Sequence, residues 1–430
     1  MTLRHVMIFH RHGDRTPLVQ EVAPLMRMSA SEVEWWSTRI ATPEELDKLS
    51  ATSDVVGQEE HIPMYEVLNE GGMHPLGQLT SKGVAEMRLE GVKFRNLYYE
   101  KLFSRNNGKR SKLRSEKLNH SDLVYVMSTN VRRTVHSVQA FLGGFFQIES
   151  DMHVEGGKES HDSMPSSCWS IYAKSRSKAQ GQTESKRFLI RTHEKNCLAP
   201  SHSLRVFFDL ESVLEEELKL LDQARQEKVI DLGQKLRQAL KLPAEEHLPW
   251  TLIRDTLSCQ RHHGLDFPEG ITQEMYMELV EYDAWLWHRL YSKRSFASPA
   301  MKEAVAFLSS HIESIIFRLR CDSKFSLFSH KRRGPKMSVF SVHDNSIVAL
   351  INSFQIRTGD ILPDYGATLV FEIHEIRKKH FYVRVLYDNR ECQILEADSA
   401  LGCPYDHLLK RAAEFINDPK ESDERVEPYS

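Results

Sequence analysis

The chain is 430 residues long, with 57 lysines and arginines against 60 aspartates and glutamates, 40% hydrophobic residues and a formal net charge of −3. That length buries a substantial core, and the composition is that of a globular protein rather than a disordered, collagenous or disulfide-dense one. Near-neutral charge gives no general reason to expect nucleic acid or an anionic membrane as partner, and no run of about eighteen apolar residues offers a membrane span, so any cationic site must be local.

At the N-terminus, "HVMIFH" is too short for the apolar core of a signal peptide and leads straight into charged residues. As the sequence stands this predicts a cytoplasmic protein, and a secretory or lysosomal one if the true N-terminus is not represented. Residues 6–9 are apolar and β-favourable and predict a short buried strand that ends at "RHGDRTP" (11–17). Residues 18–78 show no sustained period. In 79–102, Val84, Met87, Leu89, Val92 and Phe94 recur at helical spacing, with Thr80 or Ser81 as cap. The basic stretch 104–120 predicts a solvated loop. "LVYVMST" (123–129) predicts a second buried strand, and 131–146 a helix directly after it.

Residues 149–187 are rich in Ser, Lys, Gly and Glu and predict a surface excursion. Helices follow at 205–240, 273–293 and 299–320, the last with Val305, Leu308, Ile312, Ile315, Ile316 and Leu319 along one face. Strand patterns return at 337–344, 367–376 and 380–389. The expected fold is α/β: a three-layer α/β/α core with a mostly parallel sheet, formed by 1–148 and 299–430, and a mostly helical cap inserted at 149–298. Six cysteines (Cys168, Cys197, Cys259, Cys321, Cys392, Cys403) are scattered without a C-x-x-C pair, and their even number permits disulfides without requiring them.

Open α/β sheets bind ligands at the carboxyl ends of their strands. Three charged clusters share that placement: Arg11, His12 and Arg15 after the first strand, Arg132 and Arg133 after "VYVMST", and His343 with Asp344 after "MSVFSV". Converging arginines and histidines repel one another unless an anion joins them, and guanidinium forks match phosphate oxygens. An imidazole facing a bound phosphoryl group acts as nucleophile where arginines neutralise the equatorial oxygens. His12, flanked by Arg11 and Arg15, is the candidate. Asp344 suits a general acid for the leaving alkoxide and then a base for the water that attacks the phosphohistidine, and His343 suits phosphate binding. Because Asp344 must be protonated to donate, activity should fall as pH rises above about 6–7.

Each cluster alone has a plainer meaning. "RHGDRTP" is a polar turn with an Arg–Asp pair, Arg132-Arg133 is a solvated helix start, and Asp344 is an N-cap. "RHHGLDFP" (261–268) imitates the first motif without a buried strand before it, so Arg261, His262 and His263 read as cap surface or pocket wall.

Together the motifs resemble the histidine acid phosphatase family, the branch of the histidine phosphatase superfamily that includes lysosomal and prostatic acid phosphatases and phytases. "RHGDRTP" is nearly its signature; "GQLTSKG" (77–83), "VYVMSTNVRRT", "VHDNS", "FYVRVLYDN" and "DTLSCQRHHGLDFP" (255–268) resemble further family segments. The resemblance implies a phosphoglycerate-mutase-like fold, His12 as phosphorylated nucleophile, Arg11, Arg15, Arg133 and His343 as phosphate ligands, Asp344 as proton donor, and no metal or organic cofactor. Met127 and Asn130 depart from the family's arginine and aspartate.

The function expected is hydrolysis of phosphate monoesters at acidic pH, on a phosphorylated small-molecule, glycan or lipid substrate. A catalytically weak or inactive binder of phosphate ligands is the alternative, or a more specialised phosphatase acting on a sugar or glycan phosphate, a lysophospholipid or an inositol phosphate. The acidic and apolar stretch 210–222 disfavours a polyphosphorylated inositol. A metal-dependent hydrolase built on His10-x-His12 would have to hold its cation beside Arg11 and Arg15. A mutase-like transferase is a further rival, against which the His343-Asp344 pair favours net hydrolysis.

Overall fold

The computed structural model describes residues 1–57, 74–103, 122–148, 187–192, 197–200, 219, 223–243, 248–322, 334–377, 380–396 and 401–417. Its strands are β1 (Thr2–Arg11), β2 (Ser53–Gly57), β3 (Val124–Ser128), β4 (Phe188–Thr192), β5 (Met337–Val342), β6 (Ile356–Arg357), β7 (Thr368–Arg377), β8 (His380–Tyr387), β9 (Arg390–Ile394) and β10 (Cys403–Pro404). Its longer helices are α1 (Ala30–Ser37), α2 (Pro43–Ser50), α3 (Ser81–Phe103), α4 (Arg132–Phe146), α5 (Gln223–Leu240), α6 (Trp250–His262), α7 (Gln273–Ser292), α8 (Arg294–Asp322), α9 (Asp344–Ser353) and α10 (Tyr405–Asn417).

The strands form one mixed sheet in the order β2-β4-β3-β5-β1-β7-β8-β9-β6, with β10 beside β8. From β2 to β1 every neighbour runs parallel, and the extension from β7 onward is antiparallel. Central strands of such a sheet are covered on both faces, so they read as continuous apolar runs. Val6 and Ile8 of β1 pack toward α3 and α4, joined by Val126, Val339 and Phe141. The alternate residues Met7 and Phe9 point the other way, into a core with Phe340, Ile312, Ile347 and Leu408 from β5, α8, α9 and α10. A third cluster holds the cap: Leu232, Leu236, Ile253, Leu257, Met275 and Leu279 of α5, α6 and α7.

Thr80 caps α3, its Oγ1 accepting from the Gly83 amide at 2.9 Å. Three features differ from the sequence reading. Within 18–78 the chain forms α1, α2 and β2, short elements whose apolar repeats are too brief to show a period. Strand β4 belongs to the main sheet although it lies inside 149–298; "FLIRT" has the length of a strand but is cut off from the other strand signals by a polar stretch. Helix α8 starts at Arg294 and runs through Pro299, which the sequence marked as its beginning. The stretches 104–120 and 149–186 and most of 201–222, expected as loops and helix, lie outside the described residues, as does Cys168. The other five cysteines are free thiols, and no described helix is long and apolar enough to cross a membrane.

Candidate active site

Register brings the three clusters together. Arg11 pairs with Val342 across β1 and β5, and Ser128 with Ser341 across β3 and β5. Beyond the last pairs, the His12 amide still donates to the Val342 carbonyl (3.0 Å) and the Thr129 amide to Ser341 (3.1 Å). His12, Asn130 and His343 therefore leave three adjacent parallel strands at the same end.

The His12 imidazole is almost wholly buried. Its Nδ1 lies 2.8 Å from the Gly13 carbonyl oxygen. A carbonyl only accepts, so Nδ1 carries the proton and Nε2 keeps its lone pair. Burial first, then the charges of Arg133, Arg11, His343 and Arg15, hold the ring's pKa well below its ordinary value. These causes favour the neutral base. His343 packs against it edge-on at 5.5 Å, and its Nε2 meets the Thr129 hydroxyl at 3.1 Å, which is linked in turn to Thr134 at 2.9 Å.

The turn after β1 sits on the start of α3 with no room to spare. A Cβ on Gly13 would come 2.7 Å from the Gly83 carbonyl oxygen, and one on Gly83 would come 2.3 Å from that of Asp14. Asp14, fully buried, accepts from Thr80 and from His263 Nε2 at 2.6 Å. The His263 ring, its side chain 7% exposed, thus packs against Trp35 and Trp36 and ties the end of α6 to the motif.

The arginines differ in their partners. Arg11 reaches Asp344 Oδ2 (3.0 Å) and the Pro363 carbonyl (2.7 Å), with its guanidinium 4.4 Å from the Tyr365 ring centre. Arg15 makes a two-pronged pair with Asp255 of α6 at 2.7 and 3.1 Å, both residues about 4% exposed. Among the described residues Arg133 has no carboxylate within 4 Å, and its one bond is a long one of 3.4 Å to the Gly77 carbonyl. Burial, then the Arg15 charge, press its pKa down to about 9. On Arg11, Arg15 and Arg133 alike, the buried Nε has no partner among the described residues. Three guanidinium groups whose charges all act on His12 suit the oxygens of one tetrahedral anion. Arg132, by contrast, is exposed.

Asp344 is the first residue of α9, and His343, not Asp344, occupies the cap position. Its Oδ1 accepts from the Asn345 amide at 2.8 Å. Burial works against its charge, but Arg11 and then Arg254 outweigh it and hold the carboxyl well below the usual range. Sequence reasoning missed the contribution of α6: Arg254 and Asp255 sit between Ile253 and Leu257, on the buried side of the helix. Charges beside apolar residues on a buried face were the available signal. Met127 fills the core with Met7, Phe9 and Phe340, so its departure from the family residue falls outside the site. His10 stacks on Phe141 at 5.4 Å with Nδ1 bonded to the Arg11 carbonyl, so the two histidines of His10-x-His12 sit in different surroundings.

A family model described as histidine phosphatase superfamily (branch 2) matches residues 2–388. Lysophosphatidic acid phosphatase type 6 of Bos taurus is 21% identical over 438 residues, covering 98% of this chain and 85% of that protein. Testicular acid phosphatase of Mus musculus is 27% identical over 304 residues, covering 69% and 59%. Among solved structures, Hafnia alvei phytase in complex with myo-inositol hexakis sulphate shares the fold, with a TM-score of 0.55 at 13% identity over 97% of this chain and 98% of that one. Both halves of the parallel sheet and the cap helices between them fall inside the matched span, and the chain belongs to branch 2 of the histidine phosphatase superfamily.

Proposed function

We propose that this protein hydrolyses phosphate monoesters through a phosphohistidine on His12. The observation that carries the reading is a buried, neutral imidazole, fixed through Nδ1 so that Nε2 is free, among three arginines whose Nε groups have no partner among the described residues. In the first step Nε2 attacks phosphorus and the bond to the leaving oxygen breaks. Asp344, protonated, gives that oxygen its proton. Arg11, Arg15, Arg133 and His343 neutralise the phosphoryl oxygens as charge shifts onto them. In the second step water attacks phosphorus, Asp344 takes its proton, and the N–P bond breaks to release phosphate.

Asp344 and Arg11 are paired in the free site. A bound phosphate dianion competes for Arg11, and Asp344 then becomes protonated more readily, which supports its use as donor in acid. For the substrate, Asp255 and Asp344 already offset Arg15 and Arg11, leaving Arg133 as the one site arginine without a carboxylate among the described residues. That balance favours a small ester with a single phosphoryl group over a polyphosphate. Its chemistry fits a lysophospholipid, as in the name of the bovine relative, or a sugar or glycan phosphate.

The test is hydrolysis of an aryl phosphate by the purified chain with EDTA present. We expect turnover that His12→Ala abolishes and that Asp344→Asn lowers by about 10²- to 10⁴-fold for poor leaving groups, the usual worth of general acid catalysis. A wild-type protein that binds vanadate but turns nothing over would instead favour a phosphate-binding relative.

A further inference from the structure

Arg254, on the cap helix α6, stands between the cap and the proton donor. Its Nε bonds Asp283 of α7 at 2.8 Å, and its terminal nitrogens lie 3.8 Å from Asp255 and 4.0 Å from Asp344. Asp283 is fully buried and takes a further bond from the Thr251 hydroxyl at 2.7 Å. Arg254 itself is about 4% exposed. One guanidinium is thus fixed by the cap and faces a carboxylate of the catalytic core. Asp283 takes one of the five N–H groups of this buried arginine, and the two terminal nitrogens lie nearest the carboxylates of Asp255 and Asp344.

We propose that Arg254 is a positioning residue that sets the acid strength of Asp344, so that the cap tunes the proton donor of the core. This rests on Asp344 being the donor. When substrate phosphate draws Arg11 away, Arg254 remains facing the carboxyl. As the proton passes from Asp344 to the leaving oxygen, the negative charge left on Asp344 develops opposite Arg254 and is stabilised there. The same charge keeps Asp344 ionised when it must accept a proton from water.

Other charged and titratable groups facing Asp344 are Arg11 of β1, Arg15 in the turn after it, Arg133 of α4, Tyr291 of α7 and its neighbour His343. Of these, Arg11, Arg15, Arg133 and His343 would be engaged by the phosphate, and Tyr291 is held neutral chiefly by burial. Arg254 is the cation whose shortest bond, to Asp283, is made within the cap. Asp283 partly offsets it, which gives the proposal two variants of opposite sign.

The experiment is the pH dependence of kcat on an alkyl and an aryl phosphate for wild type, Arg254→Gln, Arg254→Lys, Asp283→Asn and Asp344→Asn. Removing the cation should weaken the acid: the alkaline limb moves up by about one pH unit in Arg254→Gln, and kcat falls more for the alkyl ester than for the aryl one. Arg254→Lys should restore much of the wild-type limb. Asp283→Asn leaves the cation less offset, so its limb should move down. If Arg254→Gln does not fold, the downward shift in Asp283→Asn carries the test alone. Equal losses on both esters with an unmoved limb, or shifts of the same sign in both variants, would overturn the proposal. If Asp344→Asn keeps the wild-type limb, the donor assignment itself fails, a result distinct from failure of Arg254.

Discussion

Arg15, buried, and Arg133, half-buried, both lie beside His12, yet only Arg15 has a carboxylate partner among the described residues. Their replacement should therefore separate stability from binding. Arg15→Ala strips Asp255 of its two-pronged partner and leaves it only the longer approach of Arg254, 3.8 Å away, where it is 4% exposed, a change that costs up to about 3–5 kcal/mol of stability. Arg133→Ala relieves a cation that burial and Arg15 already disfavour, so the thermal midpoint should hold or rise. The same variant loses a charge-assisted contact of about 1.5–3 kcal/mol, and its affinity for inorganic phosphate should fall by about tenfold to a hundredfold. Calorimetry with phosphate reads both quantities. A destabilised Arg133→Ala that still binds phosphate normally would contradict these assignments. Most of these residues were legible in the sequence, because charge at the end of a buried apolar run is costly unless it is paired or holds a ligand. Arg254, Asp255 and Asp283 were passed over: charge set among apolar residues of a helix marks a buried face but does not say which distant group it meets.

At the scale of elements, the turn after β1 and the start of α3 meet through Gly13 and Gly83, with backbone against backbone. Gly83→Ala must push the two apart, since its new methyl would lie 2.3 Å from the Asp14 carbonyl oxygen. We expect a loss of about 1–3 kcal/mol in urea titration and a fall in kcat/KM, because Arg15 and His12 move with the turn. A variant with wild-type stability and turnover would show that this contact does not position the site. The central strands were readable for a physical reason: β1, β3 and β5 are buried on both faces, and only apolar residues tolerate that. Edge strand β2 and the short α1 and α2 were not, because their contacts are with distant parts of the chain rather than with a repeat of their own. Strand β4 was hidden for a different reason, its separation from its neighbours by the long polar stretch that precedes it.

For the whole molecule, the buried histidines make folding depend on pH. His5 gives its Nδ1 proton to the Pro335 carbonyl (3.1 Å) and accepts from Ser338, which also bonds His311 at 2.9 Å. Burial, the largest cause in each, lowers His5 to about 3, and His10 and His311 to about 4. The unfolded chain takes up protons on these rings near pH 6.5 and the folded chain only well below it, so stability present at pH 7 is lost as the pH falls from about 6.5 toward 4. Asp255, lowered by Arg15 against the effect of burial, adds a loss at still lower pH. The thermal midpoint should thus drop on acidification in the range where the enzyme is expected to work. Phosphate at about a hundred times its dissociation constant should return about 2.7 kcal/mol. A midpoint that is flat or rising between about pH 7 and 5 would contradict this. The proposed chemistry turns on a covalent N–P bond, which rapid acid-free quenching of the enzyme with a ³²P-labelled aryl phosphate, followed by digestion, would reveal. The label should be stable in base, lost in acid, located on the peptide bearing His12 and absent from His12→Ala. Turnover without such a label, or a label that survives in His12→Ala, would contradict it.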